Sequence, residues 1–455
     1  MALRGILQNL PEVKAPVEKK IGFNTKLKWT LIILISFFVL SNIPLYGISG
    51  DSLSRFEYLA ILLGTSFGSI ISLGVGPIVM GSIIIQLLVG AQIINIDLTT
   101  AEGKKFHGAL QKLMSFAFVL FEAMVYVLMK GIQAEPGLTG LVIFELCLGG
   151  ILIIFMDDVV QKWGFGSGVS LFIGAGIGWR LFSELFQFIG TQGTFEASGR
   201  VLGIVASVIA GDGTGAVRNL LPIIITAVLF FIVVFAQSLK VEIPLAYDRI
   251  RGFSSKWPLP FFYAGVMPVI LVSALAANVQ LFASLLQSWL GHATILGGFV
   301  DATPVSGIAF WIHSTSLLDV ITTPAGFSWR IGVQAIGHIL FYTFFSILFA
   351  YFWVSTSGQD AGGQARRIIS SGMSIPGFRK DERVLESILK RYVGPLTVMG
   401  GAAIGLLASV ADLFGALVGG TAILLMIMIF YQFYQNIAQQ HAMDMNPALR
   451  SFFGG

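Results

Sequence analysis

Long apolar runs recur down the chain, separated by short polar or basic pieces. Runs long enough to cross a bilayer fall at about 29–47, 75–94, 110–129, 139–157, 167–188, 219–238, 260–281, 331–353, 393–411 and 417–436. Each is close to the roughly 20 residues a helix needs to span the hydrocarbon. Ten is even, so both termini fall on one side. With that side taken as inner, only Arg55, Lys130, Arg180, Arg200, Arg218 and Arg330 of the 28 Lys and Arg residues lie outside. Such an excess is what the positive-inside rule associates with cytoplasmic loops.

Two stretches depart from simple spans. Residues 51–73 are amphipathic, polar at the start and interrupted by Gly64 and Gly68, which predicts a re-entrant half-helix on the outer side. Residues 282–330 form a long outer loop with moderately apolar pieces. The N-terminal 1–28 lacks the pattern of a cleaved leader and is expected to be a short amphipathic helix followed by a Pro-broken basic linker on the cytoplasmic side.

A local pattern repeats. Gly-Val-Gly-Pro-Ile-Val occupies 74–79 and Gly-Val-Met-Pro-Val-Ile occupies 265–270. Gly74 lies 45 residues after Trp29, where the first span begins, and Gly265 lies 46 after Asn219, where the sixth begins. Two halves of five spans follow, and because five is odd the second enters from the opposite face, giving an inverted repeat. Pro77 and Pro268 are expected to kink their helices, and paired breaks at membrane depth favour a shared cavity.

Composition closes off the soluble alternative: 55% of residues are hydrophobic and 11% charged, against about 25% charged in a soluble domain. The lone Cys147 supports neither a disulfide framework nor a thiolate metal site. Two inner loops hold much of the positive charge: Lys240, Arg249, Arg251 and Lys256 in one, Arg366, Arg367, Arg379, Lys380, Arg383, Lys390 and Arg391 in the other. They fix topology and also suit an anionic partner; rRNA phosphate qualifies.

Catalytic chemistry is sparse. His107, His292, His313, His338 and His441 are scattered without a metal-binding spacing, and no GxxxxGK loop is present. Gly64-Thr65-Ser66-Phe67-Gly68 fits GxSxG but lies in an apolar half-helix, where the strand–turn–helix elbow has no place. GFGSGVS (164–170) and GDGTGAV (211–217) abut membrane spans and read as close helix packing and a flexible loop. An ion-coupled transporter needs a titratable group at mid-bilayer. Glu122 in the third span is the serious candidate; Glu145 lies in the fourth, and Asp157 and Asp158 mark its inner end. No catalytic, cofactor or metal site is expected.

The run from Ser72 to Leu88 (SLGVGPIVMGSIIIQLL) resembles the second-span signature of the SecY family, the pore-forming subunit of the Sec protein translocon. KLKWT before the first span, WGFGSGVSLFI at the fifth, KVEIPLAYDRIRG at 240–252, MPVILVSALAANVQ at 267–280, GFRK at 377–380 and LKRYVGPLTVMG at 389–400 are similar to the same family, in order along the chain. The short GVGPIV form with KLKWT resembles the archaeal branch.

The resemblance implies an all-α integral membrane fold: ten transmembrane helices as two inverted five-helix halves around an hourglass pore, with a re-entrant plug. The halves are 29–190 and 219–436, joined by an external hinge loop at 191–218, with a cytoplasmic tail at 437–455. It implies a pore ring of Val75, Val79, Val169, Ile173, Ile270 and Leu425; branched apolar side chains coordinate no ion and gate by dewetting. It implies a plug at about 52–69, including Ser52, Leu53, Phe56, Leu59, Leu62, Leu63, Gly64 and Ser66. A lateral gate between the second and seventh spans would carry Gln86 and Asn278, and Met80 stands where relatives often have a small polar residue. Arg249, Arg251, Arg379, Lys380 and Arg391 would dock a ribosome. The implied function is passive conduction of secretory polypeptides and lateral release of membrane proteins. The implied partners are small Sec gamma/SecE-type and Sec beta-type subunits, signal sequences, nascent chains and lipid. The cell membrane is the expected location, with both termini cytoplasmic.

Overall fold

The structure is a computed structural model. It describes residues 10–17, 21–48, 68–90, 93–97, 100–129, 131–188, 199–247, 254–300, 303–317, 320, 328–370, 373–374 and 381–445. Its helices are α1 (Phe23–Ser41), α2 (Gly76–Gly90), α3 (Ala101–Leu128), α4 (Thr139–Trp163), α5 (Gly168–Phe186), α6 (Arg200–Ile209), α7 (Gly213–Ser238), α8 (Met267–Leu290), α9 (Gly307–Ile312), α10 (Trp329–Thr356), α11 (Ala361–Ser370), α12 (Glu382–Leu413) and α13 (Gly420–Met445).

Every predicted span meets one of these helices. Among the described residues, nine helices are long and apolar enough to cross a membrane. The exception is α2, whose 15 residues rise only about 22 Å at ~1.5 Å each. Residues 70–75 before it are turns. The predicted half-helix at 51–73 lies mostly outside the described residues, and its described end is turn, bridged through Ser69 to Pro44.

Two boundaries move for local reasons. α12 begins at Glu382, eleven residues before the predicted span, because Asp381 caps it by accepting from the Arg383 N–H at 2.9 Å; Lys390 and Arg391 therefore lie on a helix, not in a loop. α7 begins at Gly213, where the Asp212 carboxylate accepts from the Gly215 N–H at 3.1 Å, so the glycines of GDGTGAV form a helix start instead of a flexible loop. The external segment before it is partly helical as α6.

Small β elements add to the all-α expectation. β1 (Lys240–Tyr247) pairs antiparallel with β2 (Ser254–Pro260), and its far edge pairs with β5 (Met373–Ser374) through Ala246↔Ser374 and Tyr247↔Met373. This sheet ties together the two basic loops expected on the inner side. In the loop expected on the outer side, β3 (Gly298–Val300) and β4 (Thr303–Ser306) form a hairpin before α9, which packs on α10.

One continuous apolar core runs through both halves. α13 packs against α7 within its own half and against α5 across the boundary between halves, α2 packs against α3, α8 and α10, and α10 lies along α12.

Candidate functional site

The four helices expected to bear the constriction all start close to the residues in question. α2 begins one residue after Val75 and α5 one residue before Val169, while Ile270 and Leu425 lie in the first two turns of α8 and α13. α2 and α8 start in the same way. Gly74 (φ 54°) and Gly265 (φ 65°) take the left-handed conformation, which favours glycine. Each donates three residues back, Gly74 N to Ile71 O at 2.8 Å and Gly265 N to Phe262 O at 2.9 Å.

The prolines correct the expectation of kinks. Pro77 is the second residue of α2 and Pro268 the second of α8. At those positions a helix N–H has no intrahelical acceptor, so proline costs nothing and its fixed φ favours the start. They mark where a helix begins within the chain's passage through the membrane, a discontinuity tolerated only inside protein or beside a cavity.

All six residues expected in the ring are buried in the one apolar core: Val75, Val79, Val169, Ile173, Ile270 and Leu425 are each 9% exposed or less. They come from both halves, and α13 touches α5 and α8 while α2 touches α8. Val266 is also buried there and was missed by sequence reasoning. Its signal was available, since it follows Gly265 as Val75 follows Gly74.

The two residues expected at a lateral gate face a polar deficit. Gln86 on α2 and Asn278 on α8 are each 1% exposed. Asn278 Nδ2 donates to Ala274 O at 2.9 Å in its own helix, but its Oδ1, Gln86 Oε1 and Ser273 Oγ have no hydrogen-bond partner among the described residues. Both carboxylate oxygens of Glu122 on the adjoining α3 are in the same condition. Met80 is half-buried against the apolar core.

The predicted plug residues Ser52, Leu53, Phe56, Leu59, Leu62, Leu63, Gly64 and Ser66 lie outside the described residues, as do Arg249, Arg251, Arg379 and Lys380. Arg391 is exposed on α12. Among the described residues no group of three or more His, Cys, Asp or Glu side chains is placed to hold a metal ion.

These features define a multi-pass membrane protein with helices that begin at an apolar core shared by both halves. The SecY family model matches residues 69–434, and the model for the plug domain of Sec61p matches 35–68, the segment holding the predicted plug. The protein translocase subunit SecY of Methanothermobacter thermautotrophicus is 42% identical, over 98% of this chain and 97% of its own. That of Methanocaldococcus jannaschii is 38% identical over the same shares. A solved protein-conducting channel superposes with a TM-score of 0.83 at 36% identity, covering 98% of this chain and 99% of that one. The chain belongs to the SecY family.

Proposed function

We propose that this chain is the central subunit of a protein-conducting channel, passing secretory polypeptides through the constriction and releasing membrane segments sideways between α2 and α8. The observation that carries the reading is the burial in one apolar core of six branched residues from four helices that all begin there. Such a ring has no polar group with which to grip a particular side chain, and it excludes water when closed. A path open to every sequence requires that indifference. The channel is passive, and direction comes from a partner.

Among relatives of this chain, Sec61 has been solved in a canine ribosome–channel complex from the endoplasmic reticulum; it superposes with a TM-score of 0.81 at 36% identity over 98% of this chain. We assign this chain a similar partner, docked on the basic inner loops that β1 and β5 hold together. Arg249, Arg251, Arg379, Lys380 and Arg391 supply the cations for rRNA phosphate. The small partners are Sec gamma/SecE-type and Sec beta-type subunits. The cell membrane with both termini cytoplasmic fits the positive charge of the inner loops. The plug is assigned to about 52–69, all but its last residue within the segment 35–68 that matches the plug domain of Sec61p.

The test is crosslinking from the ring. Cys147 is replaced, a single cysteine is placed at Val79, and ribosome-stalled secretory chains of graded length are presented. Crosslinks that require a signal sequence and shift along the chain as it lengthens are expected. Intact complexes without crosslinks from Val79 or Ile173 would move the path elsewhere.

A further inference from the structure

We propose that Asp157 and Asp412 are a matched pair of positioning residues, one in each half, that set the level of the pore ring by holding the first turn of the helix carrying it. The inference rests on the ring reading above and concerns what keeps that ring closed.

Each aspartate lies near the end of the helix before a ring helix, Asp157 on α4 before α5 and Asp412 on α12 before α13. Each is 6% exposed. Asp157 Oδ1 accepts from the backbone N–H of Val169 at 3.0 Å, and Asp412 Oδ1 accepts from that of Thr421 at 3.0 Å. The second oxygen is held by side chains in both cases. Gln161 Nε2 donates to Asp157 Oδ2 at 2.7 Å. The Thr421 hydroxyl donates to Asp412 Oδ2, and His338 Nε2 lies 3.5 Å from it.

The relation to the ring is similar in each half, except that the residue held by Asp157, Val169, is itself a ring residue while Thr421 is not. Ile173 stands four residues after Val169, and Leu425 four after Thr421. One helical turn thus separates each held N–H from the ring side chain above it. A glycine precedes each held residue. A Cβ on Gly168 would lie 2.6 Å from Asp157 Cα, and one on Gly420 would lie 2.2 Å from Ala411 C, so in both halves the helix start rests directly on the preceding helix. Ser167 occupies the usual capping position of α5 but its side chain makes no capping hydrogen bond. The carboxylate across the turn takes that role.

A buried carboxylate on a helix N-terminus is a strong tie, because the hydrogen bond is charge-assisted and aligned with the helix dipole. Water is scarce there, so a released N–H has few other acceptors. The tie therefore fixes where α5 and α13 begin relative to their neighbours, and with it the level of Ile173 and Leu425. All four ring helices start just after a left-handed glycine (Gly74, Gly166, Gly265 and Gly419), and α5 and α13 add the carboxylate tie, so the four helices form two repeat-related pairs.

The experiment uses the full-length chain with its small subunits, reconstituted in planar bilayers, and reads resting ion conductance per channel. Asp157→Ala and Asp412→Ala are expected to leak about fivefold more than the native channel, the effect of losing a typical cap. Asp157→Asn and Asp412→Asn keep an acceptor oxygen and are expected to stay within about twofold of native. Ile173→Gly, which opens the ring itself, is the reference leak. Native conductance in both alanine variants while Ile173→Gly leaks overturns the positioning role and leaves the ring standing. Equal leak from the asparagine and alanine variants overturns it too. Native conductance in Ile173→Gly overturns the ring reading and this inference with it. Should an alanine variant fail to assemble, Gln161→Met and Thr421→Val, which free the second oxygen without removing the carboxylate, decide the matter. Leak above native supports the role, and native leak overturns it.

Discussion

Val79 and Ile270 occupy the same position in opposite halves of the molecule. Each donates its backbone N–H four residues back, Val79 to Val75 O at 3.1 Å and Ile270 to Val266 O at 3.3 Å. Each stands five residues after a left-handed glycine. Two side chains assigned to the ring are thereby presented by one backbone device used twice.

Gly265 isolates the strength of that device, because a Cβ there would meet nothing within 4 Å and only backbone strain opposes it. Gly265→Ala should cost about 1–2 kcal/mol and lower the temperature at which the detergent-purified complex loses its monodisperse peak. Gly265→Asn should fall between native and alanine, since asparagine tolerates the left-handed region. An alanine variant as heat-stable as native would remove the left-handed start from the explanation.

Much of the architecture was legible because a bilayer imposes it. An apolar run of span length has few other fates, and the Gly-x-x-Pro repeat sat at offsets of 45 and 46 residues in the two halves. The Asp157 and Asp412 pairing was hidden by unequal spacing: the held residue comes 12 positions later in one half and 9 in the other, so no fixed offset aligns them. The prolines were misjudged because a sequence shows that a helix is disturbed without showing whether it bends or begins. β1 carried a period-two signal in Val241, Ile243 and Leu245, masked by Pro244 and by the strong expectation of helices.

His313, on the outer side after α9, gives a pH dependence. Burial, with His338 nearby, pushes its pKa down from 6.5 to about 4, although the Asp412 charge pulls the other way. Its neutral form is therefore favoured in the folded protein, while the unfolded chain takes up a proton below about pH 6.5. Stability is fully present above that pH and is lost as pH falls toward 4, by at most on the order of 3 kcal/mol. Heat stability of the purified complex between pH 7 and 4.5 should fall more steeply for native protein than for His313→Asn. Parallel pH profiles would assign the loss to other groups.

Asn278 should set how readily the lateral gate opens. Its unpaired Oδ1 is a buried cost of about 1–3 kcal/mol that leaving the closed interface relieves. Asn278→Leu removes that cost from the closed state, so insertion should demand a more hydrophobic signal segment. A graded series of leucine-containing signals, scored by crosslinking to lipid, measures the threshold. An unchanged or lowered threshold counts against Asn278 as a gate residue.

Arg391 tests the docking surface from an ordered position. It is exposed on the inward extension of α12, in a helix that Asp381 caps, so its charge can be reversed without disturbing a loop. Arg391→Glu should weaken binding of empty ribosomes to the reconstituted channel and reduce the slope of log affinity against log salt by about one. Both effects follow from losing a phosphate contact. Arg330→Glu, on the outer side, is the matched control and should leave both quantities at their native values. Weaker ribosome binding with an unchanged salt slope would make Arg391 a packing residue instead of a phosphate ligand.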